Sequence, residues 1–274
     1  MAIQKKPLIV HAHIFKNAGT TIDWILKKNF SKLFCEHRDD AQMVAEPDYF
    51  YNYIGARKNL KAFSSHSVSL PLRNSKIFDL LPLVMLRHPL LRVKSVYEFE
   101  RKQQADTLGA KAAKTMDFQS YVAWRMRPDV PSTIRNMQIR YLTSGYSEDQ
   151  FSGENTRFEL AKEFINNTPM IGVVEDFDQS MVVFEQYLLS KGFDHIDLTY
   201  QKQNVSSSSG QLMTIQESLG KLETTLGSDL YLEVCEKNQD DLRLFEVARE
   251  IIRSRFDKVV DAETKLNSIQ LNAC

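Results

Sequence analysis

Short apolar runs alternate along the chain with longer segments in which apolar residues recur every three or four positions. Four runs have the length and aliphatic character of buried strands, at residues 8–14, 60–65, 81–86 and 170–174. Segments of helical period follow three of these runs. Their apolar positions are Ile22, Ile25 and Leu26, then Leu91, Val93, Val96 and Phe99, and then Met181, Phe184 and Leu188. Strands that alternate with helices predict an α/β fold, a parallel sheet flanked by helices on both faces.

The C-terminal third is predicted to be mostly helical. Asp240 or Asp241 is placed to cap a helix whose apolar residues are Leu242, Phe245, Ala248, Ile252 and Phe256. The chain has no internal repeat, and neither the Lys/Ala/Gly-rich stretch at 104–115 nor the serine run at 206–210 separates two cores. We therefore expect a single domain over residues 1–274, with extra C-terminal helices.

Composition narrows the classes of partner. Lys and Arg number 35, as do Asp and Glu, so the formal net charge is zero. This balance argues against a polybasic surface for nucleic acid, and a bound anion must be held by a local arrangement. Cys35, Cys235 and Cys274 show no metal-ligand spacing, which argues against a zinc site or a disulfide framework. Because no stretch approaches 18 apolar residues, we expect a cytoplasmic protein without stable membrane insertion.

The turn after the first predicted strand has the composition of an anion-binding loop. It consists of Lys16, Asn17, Ala18, Gly19, Thr20 and Thr21. Backbone N–H groups at the start of the following helix, a lysine and two hydroxyls would converge on a phosphate or sulfate. The lysine precedes the glycine, unlike in a Walker A loop, and no Ser or Thr follows it to hold magnesium, so no metal is required. An ordinary capped helix with a surface lysine is the alternative.

A second polar stretch follows the third predicted strand. Arg87 stands at the end of the strand, Pro89 suits the first turn of a helix, and Ser95 lies about two turns further on. A guanidinium and a hydroxyl that converge on one phosphate would supply charge-assisted hydrogen bonds. Arg92 and Lys94 are either part of this arrangement or solvated helix charges.

The two stretches together resemble the carbohydrate sulfotransferases that use 3′-phosphoadenosine 5′-phosphosulfate (PAPS), in particular the heparan-sulfate 2-O- and 6-O-sulfotransferase type and its bacterial relatives. The resemblance lies in Lys-x-x-Gly-Thr-Thr and in Arg-x-Pro-x-x-Arg-x-x-Ser-x-Tyr, each after a strand. It implies a P-loop NTPase-like parallel sheet. It further implies that residues 16–21 bind the 5′-phosphosulfate and that Arg87 and Ser95 bind the 3′-phosphate. His88 stands where many members carry Asp.

Weaker similarity extends to other segments. His66, within 63–67, resembles the histidine that serves as the catalytic base, and Lys16 would stabilise the leaving group. Residues 136–142 and 171–177 resemble an Asn-x-Gln-x-Arg-x-Leu segment and a strand that leads into a helix. Residues 202–210 resemble a loop that closes over the nucleotide. His11 and His13 point to the same face of the first strand and compete with His66 for the role of base, or else are structural.

The resemblance implies in-line transfer of the sulfuryl group from PAPS to a hydroxyl, with a glycan or glycoconjugate as the expected acceptor. Phenols, lipids and small hydroxylated metabolites are alternative acceptors. A P-loop kinase that uses ATP and magnesium, or a non-catalytic glycan-binding protein of the same fold, is the rival function. Tyr121, Trp124, Arg125 and Arg127 either face a sugar or belong to a partly buried helix.

Overall fold

Five apolar segments pair as parallel strands in one sheet, which confirms the predicted α/β class. The computed structural model describes residues 5–38, 40–151, 156–201 and 213–272. Its strands are β1 (Lys6–Ala12), β2 (Phe34–Glu36), β3 (Ala62–Ser65), β4 (Phe78–Leu86) and β5 (Met170–Val173). The strand order is β2-β3-β1-β4-β5, with all neighbours parallel.

Helices connect the strands and extend the chain beyond the sheet. They are α1 (Gly19–Phe30), α2 (Asp40–Ala45), α3 (Tyr49–Gly55), α4 (Pro89–Lys102), α5 (Leu108–Thr115), α6 (Phe118–Met126), α7 (Met137–Leu142), α8 (Arg157–Asn167), α9 (Phe177–Ser190), α10 (Ile215–Leu226), α11 (Ser228–Lys237), α12 (Gln239–Phe256) and α13 (Ala262–Asn272). No helix in the described ranges is long and apolar enough to cross a bilayer.

Each face of the sheet has its own apolar core. Leu8, Val10 and Ala12 of β1 pack in a cluster with residues of α3, α7, α8 and α12. Ile9, which points the other way, packs in a cluster with residues of α1, α9 and α13. Side chains of α4, α5, α6, α10 and α11 form a third cluster. The C-terminal helices therefore contribute to all three clusters rather than forming a separate appendage.

Two sequence-based expectations differ from the structure. β2 was not predicted, because it has only three residues, none of them buried, at the edge of the sheet. The residue that precedes α12 is Asn238 rather than Asp240 or Asp241. Asp241 instead faces α7 and accepts hydrogen bonds from the backbone N–H groups of Gln138 and Ile139, at 3.0 and 2.8 Å. The expected nucleotide-closing loop at 202–210 lies outside the described residues.

The topology makes the carboxyl ends of β1 and β4 the expected ligand position, and we call this part of the molecule the crevice. From β1 the chain passes to β2 and β3 on one side of the sheet, whereas from β4 it passes to β5 on the other. Ligands of open parallel sheets bind where the connections of neighbouring strands diverge in this way. The loop at 13–18 and Arg87 both follow strands at this crevice.

Close packing between β5 and α9 yields a stability prediction. A Cβ atom added at Gly172 would lie 2.6 Å from Sδ of Met85 and 2.7 Å from Cζ of Phe184. We expect Gly172→Ala to lower the free energy of unfolding by about 1–3 kcal/mol, because both neighbours must shift. Urea denaturation measures this change.

The matched control is Gly220→Ala within α10, where an added Cβ meets nothing within 4 Å. Alanine favours a helix over glycine by about 1 kcal/mol, so this variant should be at least as stable as the parent protein. Equal stability of the two variants would contradict the packing described for β5.

Candidate functional site

The loop after β1 presents the start of α1 to the crevice. Lys16 and Ala18 adopt left-handed backbone conformations, with φ of 66° and 58°. These turns reverse the chain so that α1 begins at Gly19, and no side chain caps its described N-terminus. The N–H groups of Thr21 and Ile22 bond to the carbonyl of Ala18, at 3.0 and 3.3 Å. An uncapped helix start of this kind, beside a lysine, suits an anionic group.

Gly19 is required here by close approach of a side chain. A Cβ atom at this position would lie 2.0 Å from both Cδ2 and Nε2 of His13. The imidazole of His13 therefore covers the first residue of α1. Any substitution at Gly19 would displace this ring or the helix start.

The side chain of Gln138 joins the two loops singled out in the sequence. Its Oε1 accepts hydrogen bonds from Nδ2 of Asn17 at 2.6 Å and from the backbone N–H of Arg87 at 2.9 Å. Its Nε2 donates to the carbonyl of Arg87 at 2.8 Å. Asn17 also donates to the carbonyl of Met85 at 2.8 Å. The side chain of Asn17, which the resemblance assigns to the 5′-phosphosulfate of PAPS, thus holds the loop in place. Nη1 of Arg87 also contacts the loop, because it donates to the carbonyl of Lys16 at 3.1 Å.

Two cations lie close together in the crevice. Burial lowers the pKa of Lys16, and the positive charge of Arg87 lowers it further. The pKa of Arg87 is also lowered by burial, although Glu175 and Glu98 oppose this effect. Nε of Arg87 is buried without a hydrogen-bond partner among the described residues. Anionic groups bound beside these cations would relieve their repulsion and complete the hydrogen bonding of Arg87.

Ser95 and Arg92 lie on α4 with different roles. Ser95 is half-buried and lies one turn before Glu98 and Phe99, which face the loop. The ring of Phe99 is 4.7 Å from Nζ of Lys16. Arg92 is buried and not solvated: it donates to the carbonyls of Phe15 and Thr133 at 2.9 and 2.8 Å, and burial lowers its pKa to about 10. Arg92 therefore anchors the loop structurally.

A carboxylate, Glu175, stands beside Arg87 after β5. Its Oε1 is 3.9 Å from Nε of Arg87, and both oxygens accept from the backbone N–H of His88, at 3.1 and 3.2 Å. Burial raises the pKa of Glu175 to about 7, against the opposing effect of Arg87. Burial lowers the pKa of His88 to about 4, so His88 is a neutral residue at the start of α4. Glu175 thus fixes the α4 entrance next to the proposed phosphate-binding arginine.

Three histidines cluster on the other side of the loop, at the ends of β1 and β3. Nδ1 of His66 is 2.7 Å from the carbonyl oxygen of His13. The imidazoles of His13 and His66 are 4.1 Å apart, and those of His11 and His13 are 5.1 Å apart. His66 is half-buried, whereas His11 is fully buried. His66 is therefore the most accessible of the three, while His11 and His13 are buried.

Asp23 of α1 binds two of these histidines. Its Oδ1 is 2.8 Å from Nδ1 of His11, and its Oδ2 is 3.0 Å from Nδ1 of His13 and 2.9 Å from Nη2 of Arg38. One possible ligand atom from each of His11, His13 and Asp23 lies within 4.8 Å of the other two, a spacing that a metal ion can bridge. Here N–H groups and a guanidinium satisfy the carboxylate, as in a hydrogen-bonded network. Burial alone would raise the pKa of Asp23, but the hydrogen bonds from His11 and His13 hold it well below its usual range.

The aromatic and basic residues of α6 form internal contacts. Tyr121 and Arg125 are buried and bind Glu100, with Nη2 of Arg125 2.6 Å from both carboxylate oxygens. Arg125 also stacks on Trp124, 4.7 Å from its ring centroid, and Arg127 pairs with Asp129 at 2.7 Å. Tyr121 and Arg125 thus form a structural network of the third core, which agrees with the partly buried helix expected from the spacing.

Among the candidate residues, Arg87 contacts the backbone of Lys16, and His66 contacts the backbone of His13 at the start of the same loop. Thr20 is exposed and Thr21 half-buried in the first turn of α1, and Ala18 supplies a backbone turn. The roles of Gln138, Glu175 and Asp23 were not predicted. The sequence signal for Asp23 is its spacing of three from Leu26, which places a carboxylate on the buried side of an amphipathic helix.

The chain was compared with family models and with curated proteins. No family model matches it. The chain is similar to a protein of Archaeoglobus fulgidus described as an uncharacterized protein, with 29% identity over 262 residues that cover 91% of this chain and 98% of the relative. The similarity therefore concerns the chain as a whole rather than a single motif, and it does not indicate an activity.

Proposed function

We propose that this protein is a PAPS-dependent sulfotransferase of P-loop NTPase-like fold, and that its acceptor is a hydroxyl group of a glycan or glycoconjugate. The observation that carries the proposal is the convergence of three separate segments on one crevice. Arg87 donates to the carbonyl of Lys16, and His66 Nδ1 contacts the carbonyl of His13. These contacts support a site in which anion-binding groups and a base lie at the carboxyl ends of β1, β3 and β4.

The residues present fit a nucleotide with two anionic ends. The N-terminus of α1 and Lys16 would hold the 5′-phosphosulfate, and Arg87 with Ser95 would hold the 3′-phosphate. The unpartnered Nε of Arg87 and the mutual repulsion of Lys16 and Arg87 both favour an anion here. The half-buried hydroxyl of Ser95 adds a neutral donor, which is compatible with phosphate at any pH.

The hydrogen bond of His66 fixes the tautomer that a base requires. A carbonyl oxygen only accepts, so Nδ1 of His66 carries the hydrogen that is donated to His13. In neutral His66 the lone pair is therefore on Nε2, where a proton can be accepted. His66 directly follows β3, and its hydrogen bond to His13 orients the ring.

Each proposed residue has a defined part in the transfer. His66 Nε2 takes the proton of the acceptor hydroxyl while the acceptor oxygen forms a bond to sulfur. The bond between sulfur and the bridging phosphate oxygen breaks, and the product nucleotide is 3′-phosphoadenosine 5′-phosphate. Lys16 and the helix N-terminus stabilise the negative charge that develops on this oxygen.

Two rival functions make different demands on the same loop. A kinase that uses ATP and magnesium needs a Ser or Thr beside the loop lysine, whereas residue 17 is Asn and its side chain binds Gln138. A non-catalytic protein of this fold would bind the nucleotide without transfer. The sulfotransferase accounts for His66 as well as for the anion-binding groups, and we therefore favour it.

Nucleotide selectivity separates the sulfotransferase from a kinase. We expect 3′-phosphoadenosine 5′-phosphate to raise the melting temperature, because a ligand at about 100 times its Kd stabilises by about 2.7 kcal/mol. ATP with magnesium should give a much smaller shift. Ser95→Ala should weaken binding of the 3′-phosphorylated nucleotide by about 10- to 150-fold, the worth of one hydrogen bond to a charged group. A stronger response to ATP with magnesium would favour the kinase.

Transfer of labelled sulfate from PAPS to a panel of glycans, phenols and lipids tests the activity itself. With PAPS and the acceptor that is sulfated, His66→Ala should lower kcat by about 10²- to 10⁴-fold, because it removes a general base. Affinity for the product nucleotide, measured by calorimetry, should change little. The control is His195→Ala at an exposed position. Normal turnover of His66→Ala would eliminate His66 as the base.

Lys16→Ala should reduce the rate more than it reduces affinity. The contact of Lys16 with the leaving oxygen strengthens as charge develops, so kcat should fall by about 10²- to 10³-fold. Lys94→Ala, which removes an exposed lysine of α4, is the matched control. Equal losses in kcat/KM and in nucleotide affinity, with kcat unchanged, would show that Lys16 only binds.

A further inference from the structure

We propose that Asp23 and His13 are positioning residues that set the orientation and basicity of His66, an inference that rests on the proposed function for its catalytic meaning. The chain of contacts runs from Asp23 to the His13 imidazole at 3.0 Å, and from the His13 carbonyl to the His66 imidazole at 2.7 Å. Both Asp23 and His13 are buried. Neither residue is part of the loop motif that suggested the activity.

His13 is held on three sides. Asp23 accepts from its Nδ1, the Cα of Gly19 lies against its Nε2 edge, and the ring of His66 packs on it at 4.1 Å. A glycine is the residue that allows the ring this close to the start of α1. The backbone carbonyl of His13 therefore has a fixed direction, and so does the His66 ring that binds it.

The protonation of this network follows from its acceptors. Asp23 is ionised, because hydrogen bonds hold its pKa well below the usual range despite burial. An ionised carboxylate only accepts, so Nδ1 of His13 and Nδ1 of His11 both carry hydrogen. Burial lowers the pKa of His13 and so favours its neutral form, although the hydrogen bond to Asp23 opposes this effect.

Charged side chains of both signs lie on this side of the crevice. Arg38 of the segment after β2 pairs with Asp23 at 2.9 Å and also with Glu36. One guanidinium therefore serves two carboxylates. On the other side of the loop, Lys16 and Arg87 carry positive charge.

The negative charge of Asp23 near His66 favours the protonated form of the histidine. As His66 accepts the acceptor's proton, its imidazolium is stabilised by Asp23, which raises the pKa of the base. The role resembles that of the carboxylate in a Ser-His-Asp triad, which orients a histidine and stabilises its cation without taking the proton. Here a second histidine lies between the carboxylate and the base.

The pKa of His66, measured by NMR titration of its Cε1–H signal in the full chain without nucleotide, tests the proposal. His66→Gln assigns the signal among the six histidines. Asp23→Asn should lower the pKa of His66 by roughly one unit, because one negative charge is removed. Arg38→Gln should raise it, because the cation is removed while both carboxylates remain. Asp23→Glu should restore most of the parent value.

The opposite signs distinguish electrostatic positioning from structural damage. Asp176→Asn is the matched control, since Asp176 also pairs with an arginine at this sheet edge, 2.9 Å from Nε of Arg249, and does not contact a histidine. It should leave the pKa of His66 unchanged. An unchanged pKa of His66 in both Asp23→Asn and Arg38→Gln, or a shift of the same sign in both, would overturn the proposal. Should Asp23→Asn fail to fold, the upward shift in Arg38→Gln, whose side chain is 37% exposed, decides alone.

Turnover tests the proposed function separately. With PAPS and an acceptor that the protein sulfates, the acid limb of the pH profile of kcat/KM should move to lower pH in Asp23→Asn, together with the pKa of His66. Absence of transfer to every acceptor, with the NMR shifts present, would refute the sulfotransferase and leave the coupling of Asp23 to His66 established.

Discussion

The hydrogen bonds of one buried amide, Gln138, hold the two halves of the site together. Its side chain binds Asn17 of the first loop and both backbone groups of Arg87 in the second. Gln138 is itself fixed from behind, because the buried carboxylate of Asp241 accepts its backbone N–H. Each of these groups would be left unsatisfied in the interior if one were removed, at a cost of about 1–3 kcal/mol each. The mutual position of Lys16 and Arg87 therefore depends on α7, which carries Gln138, and on α12, which carries Asp241.

Buried charge is the second constraint on this architecture. Arg92 donates hydrogen bonds to the carbonyls of Phe15 and Thr133. Glu175 accepts from the N–H of His88, and Asp23 binds two histidines and an arginine. Lys16 and Arg87 are cations at the crevice, and Glu175 lies 3.9 Å from Nε of Arg87, beyond hydrogen-bond distance. Under the proposed function, a chain of zero net charge binds a highly anionic nucleotide through such local charges.

Much of the fold follows from the hydrophobic pattern, whereas the connections of the site do not. Runs of aliphatic residues predict β1, β3, β4 and β5, since strands buried on both faces are apolar throughout. The short edge strand β2 lacks that signal because none of its residues is buried. Lys16, Arg87 and Ser95 are visible as motif residues. Gln138 and Asp23 are not, because a polar residue in a helix is indistinguishable from a solvated one until its tertiary partners, about 120 positions away for Asn17 and Gln138, are known.

The claim that matters most is that Arg87 binds the 3′-phosphate of an adenine nucleotide whose 5′ end lies at Lys16. Calorimetry on the parent protein and on Arg87→Ala, with 3′-phosphoadenosine 5′-phosphate and with adenosine 5′-phosphate, forms a cycle that isolates this contact. The parent should prefer the 3′-phosphorylated nucleotide by about 10- to 150-fold, and Arg87→Ala should lose that preference while it binds adenosine 5′-phosphate as before. An equal preference in both proteins would contradict the proposed orientation of the nucleotide and, with it, the assignment of the site.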